Sequence, residues 1–321
     1  MEDTAIKVYV KTPARLHFGL IEMNGDLGRL FGGLGVAIDH PNVVLEAQNA
    51  QTLKITGEKV DEAQQAADRF FNTYNEPKKA HLHIAKAIPC HSGLGSGTQL
   101  SLAVAVALAK ICGVKATVPE LAVAVGRARR TSVGTSIFQY GGFVVDGGKN
   151  QKTQSCPPMI YRQPFPSEWR FIVTMPNQPK GLFNVAEKNA FDKLAPMPSK
   201  VVGQMCRLTM YKLLPALAER DIESFGDALT KIQVLTGSHF AEAQGGIYAS
   251  RTAADCVEFL KQIGVFGVGQ SSWGPALYGV VKQEQAKTML SKVKAYLKSG
   301  AGGEAFIAKA NNRGATIRVE N

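Results

Sequence analysis

Eleven residues constrain this 321-residue chain more than any other segment: Pro89-Cys90-His91-Ser92-Gly93-Leu94-Gly95-Ser96-Gly97-Thr98-Gln99. They lie between a strand pattern at 80–88, with Leu82, Ile84 and Ile88 on one parity, and a helix pattern at 98–112 that is apolar nearly all round. A helix without a polar face must be buried on every side, so the loop that opens it is pinned to the core. Its unpaired backbone N–H groups sit at the positive end of the helix dipole. Gly93, Gly95 and Gly97 let the backbone approach an anion, and Ser92, Ser96 and Thr98 supply hydroxyl donors. The loop lacks the Gly-Lys-Ser/Thr ending of a Walker A motif and is not a Rossmann fingerprint. A plain N-capped turn needs one hydroxyl; three glycines and three hydroxyls make phosphate binding the expectation.

The rest of the chain reads as α+β. Strand patterns fall at 6–10, 15–21 and 42–46, a helix at 59–75, another at 119–128 and a strand at 141–146. A glycine-rich stretch, Asn24 to Gly35, reads as tight turns that can bring backbone close to a ligand. Asn150 to Glu168 carries Pro157, Pro158, Pro164 and Pro166 and reads as a linker, which divides the chain into domains at 1–160 and 161–321. Beyond it come a strand at 169–175, helical patterns at 199–238 and 247–263, and alternating strand, helix and strand at 266–281, 283–297 and 304–319.

Composition narrows the function. Lys and Arg number 37 against 26 Asp and Glu, a net charge of +11. The charge calls for nucleic acid or anionic small molecules as partners; the basic residues are dispersed with few aromatics among them, which speaks against nucleic acid, but charge alone does not decide between the two. No apolar run is long enough to span a bilayer, and Met1 to Val10 has acidic residues where a signal peptide needs basic ones. Five scattered cysteines without metal or redox spacing fit a reducing cytoplasm. His81 and His83 share a strand face but have no evident third ligand for zinc.

Arg15, His17, Glu22, Asp26 and Arg29 sit in or beside the first glycine-rich stretch. Arg15 and His17 face one side of an ideal strand. Arg29 can clamp a phosphate or carboxylate in two-pronged fashion. Glu22 and Asp26 are the nearest acids to meet a developing cation or hold a metal. For any one of them a solvated turn is the alternative. Arg127, Arg129 and Arg130 form a basic run before a polar turn, and the run is either a solvated helix end or a phosphate contact. Asp146, before Gly147-Gly148, reads as a turn residue.

Three segments, in order, resemble the GHMP kinase superfamily: Thr12-Pro13-Ala14-Arg15-Leu16-His17-Phe18-Gly19-Leu20, the Pro89–Gln99 loop, and Gly267-Val268-Gly269-Gln270-Ser271-Ser272-Trp273-Gly274-Pro275-Ala276. Within it, Arg15 to Leu20, Asn24-Gly25, Gly28-Arg29, Gly32 to Ile38, Arg130 to Thr135 and Gly141 to Gly148 resemble the β-ribofuranosylaminobenzene 5′-phosphate synthase family. The resemblance implies an N-terminal domain like ribosomal protein S5 domain 2, a ferredoxin-like C-terminal domain and a homodimer. It also implies a reaction in methanopterin biosynthesis: 5-phosphoribosyl 1-pyrophosphate and 4-aminobenzoate or 4-hydroxybenzoate condense to a C-glycoside with release of CO2 and pyrophosphate. The alternative is an ATP-dependent small-molecule kinase. Many GHMP kinases carry an Asp where this chain has Gly134, which cannot accept a hydroxyl proton.

The expected catalytic residues are therefore Glu22, Arg29 and Asp26. The expected substrate-binding residues are Arg15, His17, Ser92, Gly93, Gly95, Ser96, Gly97, Thr98, Arg130 and Ser272. Mg2+ is expected to accompany the pyrophosphate; its protein ligands are not legible.

Overall fold

A computed structural model describes residues 6–177 and 194–320. Along the chain run β1 (Lys7–Lys11), β2 (Ala14–Glu22), β3 (Arg29–Ile38), β4 (Val44–Asn49), β5 (Lys54–Gly57), α1 (Val60–Tyr74), β6 (Ala80–Lys86), α2 (Ser96–Cys112), α3 (Val118–Ala124), α4 (Val133–Tyr140), β7 (Phe143–Asp146), β8 (Lys149–Asn150), β9 (Met159–Gln163) and β10 (Trp169–Met175). Then follow α5 (Ser199–Leu208), α6 (Leu214–Glu219), α7 (Ile222–Gln244), α8 (Arg251–Gln262), β11 (Phe266–Gln270), β12 (Leu277–Lys282), α9 (Ala286–Tyr296), β13 (Glu304–Ala308) and β14 (Thr316–Glu320).

The strands form three sheets, ordered β14-β1-β4-β6-β5, β2-β3-β7-β9 with β8 on β3, and β11-β12-β10-β13. All pairings are antiparallel except β5 with β6. The last strand, β14, pairs with the first. β9 straddles residue 160. Both tie the two halves of the chain together.

The α2 helix is central, as its composition requires. Every residue from Gln99 to Ala109 is buried, and the helix packs on β1, β4, α1, α3 and α4. Each of its buried Leu and Val side chains contributes about 1.5–3 kcal/mol. Its main cluster is continuous with Phe18, Phe143, Phe171, Phe225 and Tyr278, so one core spans both halves. A second cluster, including Ile172, Cys256, Leu260 and Val293, lies between the last sheet and helices α8 and α9.

Four local expectations are corrected. The 150–168 linker contains β9, which pairs with β7; the prolines flank the strand rather than interrupt it. Most of the glycine-rich stretch is strand β3, not turn. Its glycines make room for a helix: a Cβ on Gly35 would lie 2.6 Å from Val133 Cγ1 and 2.7 Å from the Leu16 carbonyl oxygen. That helix, α4, replaces the polar turn read after the basic run. The 199–238 pattern is three helices with a π-helical turn at Thr209–Leu213, because Arg220 turns left-handed and Asp221 then caps α7 through the Glu223 and Ser224 N–H groups.

Candidate active site

The three glycine-rich motifs, far apart in sequence, meet at one point. The loop after β6 reaches α2 through left-handed turns at His91, Gly93 and Gly95. Arg15, near the start of β2, donates its backbone N–H to the Leu94 carbonyl (3.0 Å) and Nη1 to the Gly93 carbonyl (2.6 Å). Ser271, in the turn between β11 and β12, donates its hydroxyl to the same Gly93 oxygen (2.6 Å) and accepts the His17 N–H (2.9 Å). The Ala276 N–H bonds to the Ser92 carbonyl at 3.1 Å. Gly274 packs so closely that a Cβ there would lie 2.2 Å from the Gly93 nitrogen. Ser271 is thus the tie between all three motifs, whereas Ser272 is exposed with a left-handed backbone. Its place in the glycine-rich stretch was the only signal for Ser271 in the sequence.

The loop leaves the first turn of α2 open. Gly95 is its N-cap and supplies no side-chain acceptor, so the Ser96, Gly97 and Thr98 N–H groups stand at the positive helix end. Ser92 is turned inward instead: its hydroxyl donates to the Pro89 carbonyl (2.7 Å) and accepts the Leu94 N–H (3.4 Å). It builds the loop, and Ser96 and Thr98 are the hydroxyls at the helix mouth.

His17 is buried and neutral. Burial, and then the charge of Arg15, lower its pKa to about 3. Its Nδ1 accepts the Gly19 N–H (3.3 Å), which leaves the ring proton on Nε2. At neutral pH His17 can donate a hydrogen bond but has no acidic proton to give.

The start of α4 packs against the first turn of α2. Gln99 Nε2 bonds to the Gly134 carbonyl (2.9 Å), and a Cβ on Gly134 would lie 2.9 Å from Thr98 Cγ2. Thr98 therefore crowds the position where many GHMP kinases carry their Asp. Next to it, Asp146 is buried and accepts the Ser132 (2.9 Å) and Gly148 (2.8 Å) N–H groups. Burial outweighs these bonds and raises its pKa to about 6. Asp146 thus fastens α4 to the turn after β7, in keeping with its reading as a turn residue.

Glu22, Asp26 and Arg29 form a separate group. Seven residues of strand, at about 3.3 Å each, place Glu22 on the order of 20 Å from Arg15. Glu22 Oε1 accepts the Asn24 (2.8 Å) and Gly25 (2.9 Å) N–H groups. Asp26 accepts the Ser199 hydroxyl at 3.3 Å. Arg29 donates Nε to the Gly147 carbonyl (2.5 Å) and Nη2 to the Gly148 carbonyl (2.8 Å), so part of its fork is spent on backbone. Arg130 lies two residues before the N-cap of α4. The α2 loop and the Glu22 turn thus lie at opposite ends of β2, and the Asp146–Gly148 turn links Arg29 to the start of α4.

Among the described residues no three His, Cys, Asp or Glu side chains gather to hold a metal ion. Also among the described residues, no helix is long and apolar enough to cross a membrane.

Fold and motif geometry together define a GHMP-type protein. Residues 61–142 match the family described as GHMP kinases N terminal domain and residues 213–299 match GHMP kinases C terminal. A crystal structure of homoserine kinase from Cytophaga hutchinsonii superposes with a TM-score of 0.64 at 16% identity, covering 99% of this chain and 98% of the other. A beta-ribofuranosylphenol 5′-phosphate synthase of Methanothermobacter thermautotrophicus is 34% identical over 87% of this chain and 90% of its own length. One from Archaeoglobus fulgidus is 32% identical over 97% of this chain and 99% of its own. The chain belongs to the beta-ribofuranosylphenol 5′-phosphate synthase family.

Proposed function

We propose that this chain transfers the 5-phosphoribosyl group of 5-phosphoribosyl 1-pyrophosphate to the carboxyl-bearing ring carbon of 4-hydroxybenzoate. The products are a ribofuranosylphenol 5′-phosphate, CO2 and pyrophosphate. The observation that carries this reading is the near full-length identity to synthases whose name specifies a phenol product. That word favours 4-hydroxybenzoate over 4-aminobenzoate.

The sugar C1–O bond breaks and its electron pair leaves with pyrophosphate. The ring carbon attacks C1, and the C–CO2 bond then breaks and returns its pair to the ring. No net proton moves, which suits a site whose buried histidine is neutral. Charge develops on the leaving diphosphate, and the Ser96–Thr98 N–H groups at the α2 dipole are preorganised for it. Arg15, Ser92, Gly93 and Gly95 hold that loop in shape, and His17 lines it. Glu22 and Asp26 lie at the far end of β2 from that loop, too far to face C1 while the diphosphate is seated there, so their negative charge is directed at the second substrate's end of the site. Arg29 and Arg130 offer positive charge toward the acid or the 5′-phosphate. Ser272 borders the loop from the third motif. Mg2+ belongs to this reading as a counter-ion that arrives with the diphosphate. The setting is a reducing cytoplasm, supported by five free cysteines. A homodimer completes the reading and is checked by sedimentation.

The test is release of CO2 from carboxyl-labelled 4-hydroxybenzoate or 4-aminobenzoate with Mg2+ and 5-phosphoribosyl 1-pyrophosphate, beside a tube with ATP as the only donor. Donor-dependent release, faster with the hydroxy acid, is expected. No release from either acid, with saturable ATP binding in the second tube, would move the chain to the kinase class.

A further inference from the structure

Of three arginines from two segments, Arg127 lies against the first turn of α2, and Arg69 and Arg129 flank the neighbouring Gly126. Arg127 donates Nε to the Ser101 hydroxyl at 3.0 Å, and both its Nη atoms lie 3.2 Å from where a Cβ on Gly97 would stand. Arg69, on α1, donates to the Val125 carbonyl at 3.1 Å. A Cβ on Gly126 would lie 2.6 Å from Arg69 Nη1 and 3.3 Å from Arg129 Nη2, so these two guanidiniums flank one residue next to Arg127. Among the described residues, no carboxylate lies within 4 Å of any of the three.

Like charges gathered without an acid repel one another, and burying one of them adds a desolvation cost. Both effects lower the pKa of Arg127, burial first and then Arg69 and Arg129. A bound anion offsets both. The geometry also says where it lies. With roughly 2.5 Å from a residue's N to its Cβ, the Arg127 Nη atoms fall within about 6 Å of the Gly97 N–H. Two linked phosphoryl groups span such a distance, one on the helix amides and the next on the guanidinium. The bare backbone of Gly97 is what lets the guanidinium lie so close.

We propose that Arg69, Arg127 and Arg129 form the outer half of the diphosphate site: Arg127 holds the phosphoryl group beyond the one seated on the Ser96–Thr98 amides. The assignment rests on the sugar-diphosphate reading above. It makes this cluster the part of the site that distinguishes a diphosphorylated sugar from a sugar monophosphate. Its charge stabilises pyrophosphate as it leaves.

Titration calorimetry of the full chain with Mg2+ and either inorganic pyrophosphate or ribose 5-phosphate tests it. Arg127→Gln should weaken pyrophosphate at least tenfold, and the exposed Arg129→Gln several-fold, with ribose 5-phosphate unchanged. The salt dependence of pyrophosphate binding should flatten in both. Melting curves confirm folding, and Arg129→Gln keeps the test open should Arg127→Gln not fold. Unchanged pyrophosphate affinity in the folded variants overturns the proposal. So does selective loss of ribose 5-phosphate, which would put the 5′-phosphate there. If the wild type releases CO2 while pyrophosphate binding ignores the arginines, this assignment falls alone. If it releases none while binding depends on them, the synthase reading falls and the anion site stands.

Discussion

Replacing Gly274 with alanine tests whether contact between the second and third motifs shapes the active site. The new Cβ would stand 2.2 Å from the Gly93 nitrogen, 2.3 Å from Gly93 Cα and 2.4 Å from the Ser92 carbonyl carbon. Ordinary contact is about 3.5 Å or more, and all three neighbours are backbone, so no side chain can swing aside. Gly274 does not have a positive φ, so the effect comes from the contact alone. The two loops must part by about 1 Å. That strains the Ser271–Gly93 and Ala276–Ser92 bonds and shifts the amides at the mouth of α2. Overpacking of this size costs about 1–3 kcal/mol, and a 1 Å misplacement of a binding group costs on the order of 100-fold in rate. Gly274→Ala should therefore lower CO2 release about 100-fold and lower the melting temperature. Gly300→Ala, where nothing lies within 4 Å, should leave turnover unchanged. Wild-type turnover and melting in Gly274→Ala would refute the claim that the motif contact sets the site.

His17 predicts a pH dependence of stability. Its folded pKa of about 3 lies below the usual 6.5, so its contribution is present above pH 6.5 and is lost as pH falls toward 3. Between pH 7 and pH 5 the loss is about 2 kcal/mol. His17→Asn, which can still accept the Gly19 N–H, should be about 2 kcal/mol less pH-sensitive than wild type over that interval in urea unfolding; equal sensitivity would contradict a buried neutral ring. Glu22→Gln keeps the oxygen that accepts from Asn24 and Gly25, so it should cut turnover sharply with little change in melting. Arg29→Ala should cut turnover and also cost about 2 kcal/mol, because it strands the Gly147 and Gly148 carbonyls. Near-normal rates in both variants would remove Glu22 and Arg29 from the catalytic set.

Local chemistry alone determined much of this protein. The run at 98–112, apolar nearly all round, marked a central helix, and three glycines and three hydroxyls in the loop before it pointed to open amides at the helix mouth rather than to a plain cap. The order of three motifs, each read within its own few residues, was enough to indicate the family. What the sequence could not show was which groups neighbours would consume. Ser92 and Arg29 read as ligand-binding groups, yet the Ser92 hydroxyl and part of the Arg29 fork are spent on carbonyls, those of Arg29 more than 110 residues away in the chain. The glycines of β3 read as a ligand-facing turn and instead admit α4. Ser271 gained its role only when β2 and the α2 loop met it, across 254 and 178 residues. Arg69 and Arg127 became neighbours only because α1 and the end of α3 pack together beside α2. Periodicity and turn chemistry act over a few residues and are written in order along the chain. Hydrogen-bond satisfaction and charge pairing act through space, so only the tertiary structure decides which polar groups remain to meet a substrate.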